Sequence, residues 1–243
     1  MWRCGTVAVH GRCGDLAALD AELFSSNNLS RSSWKISYPK GSVAELHQLE
    51  PDFSQRGLLV CPIEKPTLVL GSGQDQAVAR RAEQLGREVT KRRSGGAAVL
   101  LRAEDVFWVD VLLPQKDELW LDDVGQATWW LGQVWEQTLK DLGWEAEVHR
   151  EAMQASEWSG DICFAGLGPG ELTVGGRKVV GVSQRRTRQG ARFQCAVLLA
   201  WEPQELVDVF GLPKRAATEL ADLAAGLNVS AQDLLAAFLR RLP

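Results

Sequence analysis

An α+β fold, with a largely antiparallel or mixed sheet and helices packed on it, is predicted by three observations on the 243-residue chain. Short runs of β-branched and apolar residues, punctuated by glycine and proline, recur from residue 57 to residue 199. Two stretches between them carry helical spacing, and everything after Trp201 is helical in pattern. Strand runs interleaved with amphipathic helices give layered α+β packing.

The elements follow in order. FSSNNLSRSSW, residues 24 to 34, reads as a loop. GLLVC (57 to 61) and TLVLGS (67 to 72) read as strands, separated by CPIEKP, whose prolines exclude a central strand. DQAVARRAEQLG (75 to 86) has helical spacing and a terminal glycine stop. EVTKR, AAVLLR and DVFWVDVLLP (88 to 92, 97 to 102 and 105 to 114) suggest three consecutive strands of an antiparallel meander. From Asp122 to Leu142, apolar residues including Val124, Leu131, Trp135 and Leu142 recur at helical spacing. Strands are expected at about 144 to 149, 171 to 174, 177 to 187 and 191 to 199, the middle two joined by a tight Gly-Gly turn. The tail should break at Gly211-Leu212-Pro213 and between Gly226 and Ser230, with Ser230 capping the last helix. Residues 1 to 202 are expected to form one catalytic-type domain and 203 to 243 a helical appendage packed on it, because so short a chain rarely buries enough surface alone.

Composition narrows the function. A 45% hydrophobic and 24% charged chain can build an ordinary globular core. The net charge of -4 gives no bulk attraction to nucleic acid, so none is expected as a partner. No apolar run approaches the roughly 18 residues of a membrane span, so no membrane association is expected either. Cys4, Cys13, Cys61, Cys163 and Cys195 are odd in number and scattered, without metal-ligand spacing, which argues against disulfides and a zinc site. With no signal-peptide pattern at the N-terminus, the expectation is a reduced, cytoplasmic protein.

Several constellations could carry chemistry, each with a structural alternative. Gly71, Ser72 and Gly73 lead into a helix opened by Gln74 and Asp75; that is either a plain turn or a set of N–H groups facing an anion. In KRRSGGAAVLL (91 to 101), three cations run into a glycine pair that lets a ligand approach the backbone, or they form a solvated hairpin edge. Arg185, Arg186, Arg188 and Arg192 cluster in QRRTRQGARFQ, a solvated face or a dock for an acidic partner. Cys163, in DICFAGLGPGEL, is either a loop nucleophile beside a cation or a core plug. Lys178 is either an edge-blunting lysine or a fixed cation. His10, His47 and His149 lie far in sequence from all of these, so no histidine-based triad is expected.

Taken in order, PTLVLGSGQD (66 to 75), KRRSGGAAVL (91 to 100) and GELTVGGRKVVGVSQRR (170 to 186) resemble successive motifs of the biotin/lipoate protein ligase family, in its lipoate-ligase and octanoyltransferase branch. The resemblance spans roughly residues 57 to 200 and implies that family's α+β catalytic domain. It places Gly71 and Gln74, then Arg92, Ser94, Gly95 and Gly96, then Gly181, Ser183 and Gln184 around an acyl group. It makes Lys178 the residue that holds the acyl carbonyl or acyl phosphate. A Cys-Phe pair fifteen residues before that lysine matches Cys163-Phe164, with Glu171-Leu172 following and Gly170 standing where that branch has tyrosine. Leu101 and Cys195 stand where the family carries histidines.

The activity implied is transfer of an octanoyl or lipoyl group to a lysine of an acceptor domain, with Cys163 as thioester nucleophile and no cofactor. The donor implied is acyl carrier protein, and the acceptor a lipoyl domain or a glycine-cleavage H-type protein. The alternatives are a lipoate ligase using ATP and magnesium, with Cys163 structural, and a non-catalytic acyl-binding homologue.

Overall fold

The computed structural model describes residues 34 to 75 and 77 to 243. Cys4, Cys13, His10 and all of the expected loop before Trp34 lie outside the described residues. Among the described residues, ten strands form two sheets. β1 (Trp34–Ser37), β2 (Arg56–Val60), β6 (Val106–Pro114), β10 (Gly190–Leu198), β9 (Arg177–Arg186), β8 (Leu172–Val174) and β7 (Ala146–Val148) lie in that spatial order in the larger one. Its neighbours are antiparallel except for the parallel pair β1 and β2. β2 is buried throughout and β6 along all but its last residue, as expected of central strands covered on both faces.

The smaller sheet has the order β4 (Glu88–Lys91), β3 (Thr67–Leu70), β5 (Val99–Leu101). This corrects the expected meander. The three runs are strands, but β4 pairs in parallel with β3, β5 pairs with the other edge of β3, and β6 joins the larger sheet. The helix between β3 and β4 is the reason, since a helical crossover returns the chain parallel to the strand it left.

Six α-helices are present among the described residues: α1 (Val43–Gln48), α2 (Ala77–Gln84), α3 (Trp129–Asp141), α4 (Gln204–Phe210), α5 (Arg215–Leu223) and α6 (Ala231–Arg241). α3 is shorter than its periodicity suggests. Asp123 caps a 3-10 turn through Gln126 N at 2.8 Å, and Val124 stays exposed. The tail breaks at Gly211, in the left-handed region, and Ser230 caps α6 by accepting from Asp233 N. These helices close the core from outside: Leu206, Val207, Val209, Ala216 and Leu220 are buried with Leu68, Leu70 and Ile162, and Phe238 stacks on Trp135 at 4.1 Å. No described helix is long and apolar enough to cross a membrane.

Candidate active site

Two local devices bring residues 163 and 178 together. The first is the segment ahead of the 3-10 turn Cys163–Ala165, which adds itself to the start of β5: Cys163 N donates to Ala98 O and Ala98 N to Asp161 O, both at 2.9 Å. Phe164 is buried and anchors the turn, while Cys163 is half-buried. The second is a bulge. β8 and β9 turn through Gly175 and Gly176, both at positive φ as this tight hairpin requires. The register then shifts, with Leu172 opposite Val180 and Thr173 opposite Lys178, so β9 carries one extra residue. A bulge re-aims the side chains beside it, and Lys178 is 3% exposed rather than an edge lysine.

The Lys178 ammonium lies 4.0 Å from Cys163 Sγ. It donates to Cys163 O at 3.0 Å and Gly166 O at 2.8 Å, and it pairs with Glu171 Oε2 at 2.6 Å. Three N–H donors meet three oxygens, so the sulfur feels chiefly the charge. Burial pushes the Lys178 pKa down, but the Cys163 and Glu171 sites outweigh it and hold it above its ordinary value. Glu171 is fixed in turn: Oε2 accepts from Gly168 N at 2.6 Å and Oε1 from Val182 N at 3.0 Å. The sequence places Glu171 only as part of a motif; its role as the counter-ion of Lys178 emerges from the bulged register.

Cys163 opens into an apolar cleft lined by Val69, Val99, Leu101, Trp108 and Ala196 among others. Polar groups of its wall, Ser183, Gln194 and His47, are linked through the buried Ser94 behind them. Ser94 Oγ lies 3.1 Å from Ser183 Oγ and donates to Gln194 Oε1 at 2.9 Å, and Gln194 Nε2 lies 3.1 Å from His47 Nδ1. Gly181 also lines the cleft, beside Phe164 and Lys178. Arg92 lines it too, but its guanidinium donates to the carbonyls of Gly95, Ala97 and Val69, stapling the Ser-Gly-Gly loop. Gly95 and Gly96 form that loop. Gly71, the residue after β3, supports it, and a Cβ there would sit 1.7 Å from Gly96 O. Gln74 ties the same turn to the segment before Cys163, accepting from Gly71 N and donating to Asp161 O. Gln184 is not at the cleft; its amide donates to Val124 O.

His47, far in sequence from these clusters, stands beside them in the fold. It is 6% exposed, stacks on Trp108 with ring centroids 4.5 Å apart, and lines the cleft together with Leu101 and Cys195. The sequence did carry a pointer to α1: Ser42 and Glu45 form a reciprocal capping box. What brings the ring to the cleft is tertiary. Arg192, in β10, donates to Leu46 O at 2.8 Å and Leu49 O at 3.1 Å, pinning the end of α1, and pairs with the fully buried Asp110. Asp110 also accepts from Trp108 Nε1 at 2.7 Å. Arg192 is therefore an internal strut and not part of a surface for an acidic partner. Arg186 is likewise committed, stacked on Trp120 and donating to Leu121 O and Asp122 O.

Burial, with Arg192 and Arg92 facing the ring, lowers the His47 pKa from 6.5 to about 3. The unfolded chain takes up a proton as pH falls through about 6.5, whereas the folded chain resists until about 3, so stability is complete above 6.5 and declines below it. Between pH 7 and 5 this site should cost about 2 kcal/mol. Asp110 lies behind Gln194 with its pKa raised by burial, and it opposes the trend, so the contrast is best read between wild type and His47→Gln by urea unfolding at both pH values. The variant should lose less stability on acidification; equal losses would contradict a neutral buried ring.

The other described thiols are unsuited to nucleophilic work: burial raises Cys61 well above its ordinary range and pushes Cys195 up to about 12. Gly170 occupies a position with no room for a side chain, since a Cβ there would sit 2.4 Å from Thr128. Among the described residues, no group of three or more His, Cys, Asp or Glu is placed to hold a metal ion.

The fold is that of a lipoate-protein ligase catalytic domain. Residues 44 to 242 match the family model for the lipoyl protein ligase A/B catalytic domain, and the chain belongs to that family. One similar relative is the octanoyltransferase LipM of Carboxydothermus hydrogenoformans, 35% identical over 127 residues. That match takes in 50% of this chain and 45% of the relative, so the chain spans about half the length of the curated relative it matches. Among solved structures, lipoate-protein ligase A bound with ATP superposes with a TM-score of 0.65 at 14% identity, covering 86% of this chain and 83% of that one. The bipartite lipoate protein ligase of Thermoplasma acidophilum, described with its E2 lipoyl domain, gives 0.66 at 13% identity, covering 86% and 82%. At such identities these two establish the fold.

Proposed function

We propose that the chain is an acyltransferase that moves an octanoyl or lipoyl group onto a lysine of a lipoyl-type acceptor domain through a thioester on Cys163. The observation that carries this reading is the 4.0 Å separation between the buried Lys178 ammonium and the Sγ of Cys163, a residue that lines an apolar cleft. The thiolate is the nucleophilic form of a cysteine. The thiolate attacks the carbonyl carbon of an acyl thioester, the donor's sulfur leaves as a thiolate, and S-acyl-Cys163 remains. The acceptor's lysine amine then attacks that carbonyl, loses its proton as the amide forms, and returns the Cys163 sulfur. Lys178 serves both steps by its fixed charge next to the sulfur, and Glu171 keeps that charge in place.

The donor fitting this chemistry is an acylated carrier protein, and the acceptor a lipoyl domain or a glycine-cleavage H-type protein. Because the thioester supplies the activated acyl group, the route needs neither ATP nor magnesium. The test is direct: incubate the protein with a lipoyl domain and either octanoyl carrier protein or lipoate with ATP and magnesium, then weigh the acceptor by intact mass spectrometry. Acylation with the carrier alone is expected. Acylation only with lipoate and ATP would make the chain a ligase, and none with either would make it an acyl-binding homologue.

A further inference from the structure

His47 is placed for a task that the transfer scheme leaves open. The scheme needs a neutral hydrogen-bond donor for the substrate's carbonyl oxygen, and Lys178 has its three N–H groups engaged by Cys163 O, Gly166 O and Glu171. In the cleft wall, the hydrogen-bond chain fixes the state of the His47 ring. Ser94 donates to Gln194 Oε1, so the Gln194 amide nitrogen is what faces His47 Nδ1. Nδ1 is then the acceptor and Nε2 carries the ring proton. Nε2 is buried without a hydrogen-bond partner, in a side chain more than nine-tenths buried that lines the same cleft as Cys163. A buried donor left unpaired is costly, and an arriving acceptor relieves that cost.

We infer that His47 Nε2–H is the donor that holds the carbonyl oxygen of an acyl thioester in the cleft. The inference deepens the acyl-transfer reading and rests on it for the substrate class. His47 donates a hydrogen bond and transfers no proton; the ring stays neutral, with its donor oriented by Gln194 and its plane by Trp108. No acyl group can use this donor without an oxygen on the carbon next to its sulfur. The site therefore distinguishes a thioester from a thioether of the same length.

The test uses the full chain carrying Cys163→Ala, so that binding is read without chemistry. The probes are S-octanoyl-N-acetylcysteamine and its S-octyl thioether, which has CH2 in place of the carbonyl. The thioester should bind roughly three- to tenfold more tightly, the worth of one net hydrogen bond, and adding His47→Phe should abolish that preference while keeping a ring against Trp108. A preference that survives His47→Phe, or equal binding of the two probes before that change, overturns the inference. Nitrogen NMR of the Cys163→Ala protein gives a second readout that needs no His47 variant. An Nε2–H ring whose proton shifts with the thioester and not with the thioether is expected, and an Nδ1–H ring contradicts the proposal. Failure to bind either probe would sink the acyl reading together with this one. Selective binding in a wild-type protein that transfers nothing would sink the transfer reading alone.

Discussion

Replacing Cys163 by alanine should remove both the acyl-enzyme and the acylated acceptor, lowering turnover by at least about a thousandfold, because the variant has no atom on which the first half of the reaction can form its bond. The fold should survive. Cys163 is half-buried, and its backbone, not its sulfur, makes the bonds to Ala98 and Lys178 that hold the loop, so a stability change of about 1 kcal/mol or less is expected. Cys195 lines the same cleft, but its thiol is pushed up to about 12 by burial and should not take over. Rate measurements on the variant, with circular dichroism to verify folding, check this directly. Acceptor acylation at the wild-type rate would reduce Cys163 to a packing residue.

The second large effect is expected far from the sulfur. Asp110→Ala would leave Arg192 buried without its partner, and stranding one member of a buried ion pair costs about 3–5 kcal/mol. For a chain of this size that corresponds to a fall in Tm of roughly 6–20 °C. Function should suffer as well, because the same arginine holds the Leu46 and Leu49 carbonyls that seat α1, and α1 presents His47 to the cleft. Adding Arg192→Met should restore part of the lost stability, since no unpaired charge then remains, while leaving α1 unpinned and acyl binding weak. Thermal unfolding of the single and double variants separates these effects. Additive losses would contradict the strut.

The types of element were legible because each leaves a local trace. β6 announced itself by a nine-residue run that is apolar apart from Asp110 and α6 by its serine cap, and both strands of the β8–β9 hairpin were set by the Gly175-Gly176 turn. Strand partners were not legible in the same way. Whether β4 pairs with β3 or β5 is decided by how α2 covers the small sheet, which no local pattern of residues 88 to 102 records.

The site divides along the same line. Motif order located Cys163 and Lys178, yet the burial of Lys178 depends on one extra residue in β9, and its pairing with Glu171 follows from that shift. Arg192 looked like one more cation in a basic turn, although it lies on a strand whose inward face is apolar. Asp110, an acid inside an otherwise apolar strand, was the available sign that a buried cation must answer it. His47 meets Gln194 across 147 positions, a contact that only the packing of α1 on the larger sheet could reveal.

The central claim is that Cys163 itself carries the acyl group between donor and acceptor. Mixing the wild-type protein with octanoyl carrier protein, with no acceptor present, and mapping the product by peptide mass spectrometry tests it most directly. One octanoyl group on the Cys163 peptide, removed by hydroxylamine and discharged when a lipoyl domain is added, is the predicted result. An acceptor acylated in the same mixture while the Cys163 peptide never gains that group at any time point would contradict the account.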